Sequence, residues 1–274
     1  MKTGMTREEK NWVLYDVGNS AFVLLVSTIM PIYFNYLAEN AGLSAANYLA
    51  YWGYATSAAT LIVALLGPVF GTLADTKGLK KPIFTTTMLI GGIGCLALGF
   101  SRQWFLFLLI YIIAKIGFSG SLIFYDSMLG DITTEDRVDN VSSQGYAWGY
   151  IGSCVPFVLC LVIVLGSDTL GIRMETAMGI AFVLVAVWWL LMSLPLLKNY
   201  EQKYYVEKKP HAIAQSFKRL GETFKNMKEE KQVFMFLLAF FFYIDGVYTI
   251  IDMATAYGSA LGLDSTGLLL ALLV

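Results

Sequence analysis

Charged side chains are scarce in this sequence. Asp, Glu, Lys and Arg make up 14% of its 274 residues, about half the share found in soluble domains. A chain of this composition cannot cover a water-facing surface, which excludes a soluble globular fold. The three cysteines, Cys95, Cys154 and Cys160, all lie within apolar segments, where a small hydrophobic side chain packs well. We therefore expect neither a disulfide framework nor a metal centre.

The motifs of soluble enzymes are missing as well. The sequence contains no nucleotide-binding glycine loop, no cluster of metal ligands and no pairing of serine with histidine for nucleophilic catalysis. Its single histidine, His211, lies in a polar stretch, which makes it a poor candidate for a proton relay within a membrane. We expect a protein that is not an enzyme and has no cofactor and no nucleic-acid partner. An intramembrane enzyme stays open as an alternative.

Long hydrophobic runs dominate what the sequence does contain. A bilayer core needs about 20 mostly apolar helical residues, and the runs reach that length without the alternation of barrel strands. They predict an all-α transmembrane fold with seven complete spans and an eighth that begins near Ser265 and is unfinished at Val274. The seven spans are predicted at residues 12–38, 48–74, 82–100, 104–129, 141–166, 176–197 and 232–257.

A polar stretch divides these spans. We predict a six-span bundle at residues 1–197, a linker at residues 198–231 and the start of a second bundle at residues 232–274. Because the last predicted helix stops without a polar cap, we expect the chain to be part of a longer protein. Helical spacing of apolar residues in the linker predicts an amphipathic helix, which lies either in the headgroup layer or beneath the bundles. These residues are Ile213, Phe217, Leu220, Phe224 and Met227.

Positive charge is distributed unequally between the two sets of loops. Nearly all Lys and Arg residues fall in the N-terminal segment, the loop at residues 75–81 and the linker, whereas the opposite loops carry only Arg102 and Arg173. Positive charge accumulates in cytoplasmic loops, so the N-terminus and the linker are predicted to be cytoplasmic. The first apolar run lacks the features of a cleavable signal, and we expect a multi-pass protein of the plasma (inner) membrane.

Several ionisable side chains lie inside the predicted spans. A charge at mid-membrane costs about 3 kcal/mol or more, so each one needs a partner or a water-filled cavity. Helical spacing groups the charged residues on the first, fourth and seventh spans. The candidate residues for a substrate or proton pathway are Asp16, Asn19, Lys115, Asp126, Gln144, Asp245, Tyr248 and Asp252.

Depth in the membrane separates two interpretations of these residues. Lys115 and Asp245 are predicted near mid-membrane, where a functional role is favoured, and they can exchange partners if both face one cavity. Asp16 and Asp126 lie nearer helix ends, where a structural hydrogen bond or ion pair between helices is an equal alternative. Gln144, like its neighbours Tyr146 and Tyr150, either lines a pathway or anchors the helix at the interface. The glycines of the fifth span are spaced for close helix packing, and they are Gly145, Gly149 and Gly152.

The loop between the second and third spans resembles the signature loop of the major facilitator superfamily. The matching positions are Gly71, Asp75, Gly78, Lys80 and Lys81, and the departures from the pattern are Thr76 and Leu79. The resemblance implies that the matching residues serve a cytoplasmic gate. We expect Gly71 to permit close helix contact, Asp75 to cap or pair with a helix end, and the lysines to hold the loop at the membrane surface.

Three further segments are similar to the vacuolar (autophagy-related) amino-acid effluxer branch of that superfamily, which includes bacterial members. They lie at residues 15–22, 137–152 and 243–250. The resemblance implies a twelve-helix transporter that works by alternating access, with spans one, four, seven and ten around a central cavity. It also implies amino-acid export, as in the fungal members.

The charge pattern and the resemblance both select spans one, four and seven as the helices around the substrate pathway. Together they predict a secondary active transporter of a small polar solute, of amino-acid efflux type, embedded in the lipid bilayer. Coupling to protons is left open. A permease-derived scaffold or sensor without transport activity, and an intramembrane lipid-modifying enzyme, are the alternatives.

Overall fold

The computed structural model describes residues 4–208, 212–227 and 230–271, and within these ranges it is helical, with no β-strand. The helices are α1 Arg7–Ser27, α2 Ile29–Asn40, α3 Ala45–Asp75, α4 Lys80–Leu98, α5 Trp104–Ile132, α6 Val138–Leu165, α7 Met174–Asn199, α8 Ala212–Met227, α9 Lys231–Ala260 and α10 Ser265–Ala271. A 3₁₀ turn, Glu135–Arg137, precedes α6. Seven stretches of the described chain, with α1 and α2 counted as one, are long and apolar enough to span a membrane. The predicted all-α transmembrane architecture is confirmed.

The first predicted span is broken into α1 and α2 at Thr28, whose backbone has φ −124° and ψ −77°. Pro31 explains the break, because proline has no N–H to donate to the carbonyl four residues earlier, which belongs to Ser27. The hydroxyl of Thr255 on α9 donates to that carbonyl instead, at 2.5 Å. A proline in the first span therefore creates a polar contact between α1 and α9.

The start of α1 lies further toward the N-terminus than the predicted span, because Thr6 and Glu9 form a capping box. The Glu9 N–H donates to the Thr6 hydroxyl at 3.2 Å, and the Thr6 N–H donates to the Glu9 carboxylate at 2.7 Å. These bonds satisfy two N–H groups that a helix start leaves free. They also place the Glu9 carboxylate in a buried position at the end of the bundle where α1 begins.

Glycine permits the closest helix contacts. A Cβ atom added at Gly152 of α6 would lie 2.5 Å from Cγ1 of Val17 on α1. The contact between α4 and α5 is equally tight, since a Cβ at Gly117 would lie 2.5 Å from the backbone nitrogen of Gly91. The predicted packing role of the glycines on α6 is confirmed, and α1 is the helix that packs closely against them.

The predicted linker helix is α8. It contacts α3 through a 2.5 Å hydrogen bond between the hydroxyls of Ser216 and Thr72. Among its described apolar side chains, Ile213, Phe217 and Leu220 are exposed in this structure.

Some predictions fall outside the described residues. These concern His211, the side chains of Phe224 and Met227, and residues 272–274 of the predicted eighth span. The division of the chain into a six-span bundle, a linker and a second bundle stays a prediction.

Candidate functional site

A cavity of about 720 Å³ lies between α1, α5, α6 and α9. Two acidic side chains line it, Asp16 of α1 and Asp126 of α5. Asn19 from α1 and Tyr248 from α9 lie in the same wall. Four of the predicted pathway residues therefore surround one space, although they come from three helices.

The position of the Asp16 carboxylate depends on both α1 and α6. Asn19, one helical turn along α1, donates to Asp16 Oδ1 at 3.3 Å. On the facing helix, a Cβ atom at Gly149 would lie only 2.9 Å from Asp16 Oδ2 and 3.0 Å from the Ser20 hydroxyl. The absence of a side chain at Gly149 thus gives the carboxylate its space, which is a second role for this glycine.

Tyr125 contributes a polar group that has no partner. Its side chain lines the cavity and is only 3% exposed, and its hydroxyl makes no hydrogen bond within the described part of the chain. The ring is held in place by stacking on Trp12, with centroids 4.3 Å apart, and the Trp12 indole N–H donates to the Tyr125 carbonyl at 3.0 Å. A buried hydroxyl without a partner is costly, so Tyr125 has a hydrogen-bonding capacity that the described residues leave unused.

A second cavity, of about 550 Å³, adjoins the first between α1, α3, α5 and α9. The two cavities share Val23, Phe118, Leu122, Tyr248 and Ile251 in their walls. Because these shared residues connect the two spaces, we call them together the central cavity.

Lys115 forms an ion pair inside the second cavity. Its Nζ lies 2.6 Å from Oδ2 of Asp252 on α9, and both side chains are largely buried. Asp245 lines the same cavity, as the hypothesis of partner exchange requires, but the carboxylate bonded to Lys115 in this structure is that of Asp252. The pairing is set by depth in the bundle, since Asp245 and Asp252 lie on similar faces of α9, about two turns apart. The indole N–H of Trp52 on α3 also donates to the Asp252 carbonyl, at 2.9 Å, and so fixes this part of α9.

Gln144 does not line either part of the central cavity. It accepts a hydrogen bond from the Trp148 indole N–H at 3.1 Å, one turn along α6. Tyr146 and Tyr150 of the same helix do line the cavity. Of the two interpretations left open for these residues, the geometry favours cavity lining for the two tyrosines, and interface anchoring of Gln144 stays a prediction.

The signature loop is bonded to the segment that follows α7. The N–H of Gly78, where the backbone has φ +72°, donates to the Gln202 side chain at 2.9 Å, and Lys81 donates to the Tyr200 carbonyl at 3.1 Å. Asp75 accepts from the Val206 N–H through its backbone carbonyl, at 2.7 Å. The exposed Asp75 carboxylate makes no bond among the described residues, so the expected helix cap is not observed.

One expectation for this loop was wrong, and another stays a prediction. A Cβ atom at Gly71 would meet no atom of the described chain within 4 Å, so the close helix contact expected at Gly71 is not made among the described residues and stays a prediction. Lys80 does not hold the loop at the surface, because it is 3% exposed and lies 2.8 Å from the buried carboxylate of Asp131 on α5. The physical reason is that Lys80 is the first residue of α4, and α4 packs against α5 along its length.

Sequence reasoning missed Asp131, which was assigned to a loop. Its carboxylate accepts hydrogen bonds from Lys80, from the Tyr200 hydroxyl at 2.5 Å, and from the backbone N–H groups of Lys203 and Tyr204 at 3.0 and 2.8 Å. Burial, together with the bond to this carboxylate, raises the pKa of Tyr200 well above its usual range and keeps the phenol protonated as a donor.

Glu9 was missed for a similar reason. The Arg137 guanidinium lies 2.8 Å from Glu9 Oε2, and the Thr133 hydroxyl donates to Glu9 Oε1 at 2.7 Å. The signal available in the sequence was the capping-box spacing of Thr6 and Glu9, which places the glutamate inside the helix. We call Glu9, Lys80, Asp131, Arg137 and Tyr200 the paired cluster.

Comparison with known proteins assigns the chain to a family. Residues 5–274 match the family model described as "Vacuole effluxer Atg22 like". The chain is 43% identical over 279 aligned residues to the "Uncharacterized MFS-type transporter YxiO" of Bacillus subtilis, which covers all of this chain and 65% of that protein. It is 26% identical to "Autophagy-related protein 22" of Yarrowia lipolytica over 158 residues, which covers 48% of this chain and 26% of that protein.

The chain thus spans slightly less than two thirds of the length of its Bacillus relative. The family and the Bacillus relative are described as an effluxer and a transporter, in agreement with the prediction of a multi-pass membrane protein that is not an enzyme. They confirm the resemblance noted in the signature loop and in the three separate segments. The chain belongs to the Atg22-like vacuole effluxer family of major facilitator-type membrane proteins.

Proposed function

We propose that this protein is a secondary transporter that carries a small polar solute of amino-acid type through the central cavity by alternating access. The observation that carries the proposal is the Lys115–Asp252 ion pair, which joins α5 to α9 inside the membrane. Separating the two charges of a buried ion pair costs free energy. The two helices therefore move apart only if a solute or a proton compensates the charges. Such a pair couples cargo binding to helix movement.

The contacts of α9 support an opening toward one side. All its polar bonds to α1, α3 and α5 come from its C-terminal half, through Asp252 and Thr255. With the predicted orientation, in a plasma (inner) membrane with a cytoplasmic N-terminus, these bonds lie in the half of the membrane away from the cytoplasm and hold the cavity closed on that side.

The charges of the cavity are consistent with an amino compound as cargo. Carboxylates of Asp16 and Asp126 can hold an ammonium group, and Lys115 can hold a carboxylate once it is released from Asp252. Asp245 has no ion-pair partner among the described residues, which makes it the candidate for a proton carrier. In this proposal the signature loop, with Gly78 and Lys81 bonded to the segment after α7, serves the cytoplasmic gate.

Counterflow in proteoliposomes tests the proposal. Wild-type protein, as the full chain, is expected to exchange labelled amino acid across the vesicle membrane. Lys115→Met should lower the initial exchange rate about 100-fold, because it leaves a buried carboxylate unpaired. Lys198→Met, a substitution of an exposed lysine in the last turn of α7, is the matched control and should exchange at the wild-type rate.

Either of two results would refute the proposal. One is unchanged exchange by both Lys115→Met and Asp245→Asn. The other is absence of exchange by wild-type protein for every amino acid tested, which together with solute binding would favour a sensor over a transporter.

A further inference from the structure

The charges around the central cavity are unbalanced. Four carboxylates line it, those of Asp16, Asp126, Asp245 and Asp252, whereas Lys115 is the one Lys or Arg side chain in its described walls. The Lys115 cation is already paired with Asp252. Three carboxylates therefore lack a positive partner among the described residues.

Asp16 and Asp126 lie on the more polar side of this cavity. The single bond described for the Asp16 carboxylate comes from the neutral amide of Asn19, and no hydrogen bond or ion pair of Asp126 is found in the described chain. Carboxylates within a membrane protein are costly unless a positive charge or a proton compensates them. The unbalanced charge thus favours a positively charged occupant.

An independent observation comes from Tyr125. Its buried hydroxyl has no partner in the described chain, although the residue lines the same cavity as Asp16 and Asp126. A phenol oxygen accepts a hydrogen bond from an N–H donor. The unpartnered hydroxyl and the two carboxylates together provide acceptors for a group with several N–H donors.

The walls of the same cavity are rich in aromatic rings. Trp12, Tyr125, Tyr146, Tyr150 and Tyr248 all line it. Aromatic faces attract ammonium and guanidinium groups through cation–π interactions, and guanidinium stacks on them as well. They provide no comparable attraction for a carboxylate.

We propose that the solute bound by this cavity carries a net positive charge, with an ammonium or guanidinium group held by Asp16, Asp126 and the Tyr125 hydroxyl. The inference rests on the proposed transport function and narrows it to cationic amino compounds. Neutral amino acids of the same size bind less tightly, because they leave the excess carboxylates uncompensated.

Arginine and citrulline are matched probes for this inference. They have nearly the same shape, but the guanidinium of arginine is charged and the ureido group of citrulline is neutral. We would measure the binding of each to the purified full chain by calorimetry, and the counterflow of each in proteoliposomes. Arginine should bind at least about tenfold more tightly than citrulline.

Substitutions on α1 and α5 test the location of the site. Asp16→Asn and Asp126→Asn should each lower the ratio of arginine to citrulline affinity about tenfold, whereas the exposed Asp139→Asn on α6 should leave it unchanged. Tyr125→Phe removes only the unpartnered hydroxyl and should weaken arginine binding about threefold. This conservative variant keeps the test valid if an aspartate variant does not fold.

The possible results separate the charge inference from the transport proposal. Equal affinity for both probes, or a preference that survives Asp16→Asn combined with Asp126→Asn, overturns the inference even if amino acids are exchanged. Selective binding of arginine without counterflow supports the inference and overturns transport. If neither probe binds and neither is exchanged, the charge inference is overturned, and counterflow of the other amino acids then decides the transport proposal.

Discussion

Asp126 and Asp131 both lie on α5, and their surroundings are opposite. Asp131 is buried and accepts hydrogen bonds from Lys80, the Tyr200 hydroxyl and two backbone N–H groups. Asp126 faces the central cavity and has no described ion-pair partner. The same residue type on one helix is compensated by the protein in the first case and, in our proposal, by a bound solute in the second.

The contrast extends to α1. Glu9, at its start, is paired with Arg137 in the paired cluster, whereas Asp16, further along the same helix, meets only the amide of Asn19. Removing one member of a buried pair leaves an uncompensated charge and destabilises the fold. Removing a carboxylate that has no partner affects ligand binding more than stability. The following predictions test this distinction, from the largest expected effect to the smallest.

Asp131→Asn is expected to lower the free energy of unfolding by about 3–5 kcal/mol, because the substitution leaves the Lys80 ammonium buried without a counter-charge. Thermal unfolding of the purified protein in detergent measures the effect, with Asp139→Asn as the control. Lys80→Met combined with Asp131→Asn should recover part of the loss, because it removes the unpaired ammonium while the amide oxygen can still accept a hydrogen bond from Tyr200 or a backbone N–H. Wild-type stability of Asp131→Asn alone would show that the paired cluster is not structural.

Glu9→Gln should lower the free energy of unfolding by about 2 kcal/mol. The loss is smaller than for Asp131→Asn because the Arg137 side chain is 29% exposed and can be solvated. The neighbouring Glu8 provides a close control, since its pair with Lys203 is half-exposed on both sides. Glu8→Gln should change stability by less than about 0.5 kcal/mol. Equal shifts in the unfolding temperature of Glu9→Gln and Glu8→Gln would contradict the assignment of Glu9 to the paired cluster.

Gly149→Ala should raise the KM for the transported solute about tenfold, corresponding to about 1.4 kcal/mol, since the added methyl group displaces the Asp16 carboxylate. Counterflow at varied solute concentration measures KM separately from the maximal rate. Gly67→Ala on α3 adds a methyl group where no described atom lies within 4 Å, and should transport as wild type. A fall in maximal rate with unchanged KM would argue against a role in positioning Asp16.

Asp126→Asn should change the free energy of unfolding by less than about 0.5 kcal/mol, the smallest effect of the series, because no described bond is lost. Its thermal unfolding is compared directly with that of Asp131→Asn on the same helix. A loss as large as that of Asp131→Asn would mean that Asp126 has a structural role, and the contrast between the two carboxylates would fail.

Much of the membrane architecture could be predicted from hydrophobic length. The structure forms helices at every predicted complete span, with the first span divided between α1 and α2, and the apolar spacing of the linker identified α8. Helical spacing also selected Asp16, Lys115 and Asp252, which lie on α1, α5 and α9, three of the helices that line the central cavity. These predictions succeed because length and periodicity are properties of one helix at a time.

Predictions that depend on a second helix were less successful. The hypothesis was that Lys115 and Asp245 exchange partners if both face one cavity. Both line it, but the ion-pair partner of Lys115 is Asp252, because the relative depth of α5 and α9 decides which carboxylate it meets. Asp131 was placed in a loop because its burial against Lys80 of α4 depends on the packing of two helices.

The sequence by itself determined which segments enter the membrane, because the cost of exposing polar groups to lipid depends mainly on composition along each segment. It also determined the break at Thr28, through the missing N–H of Pro31. The tertiary structure alone decided which charges are paired. Electrostatic energy depends on the distances between groups, and Lys80 with Asp131 or Lys115 with Asp252 are brought together only by helix packing. The difference between a structural carboxylate and one free to bind a ligand is a property of the folded protein.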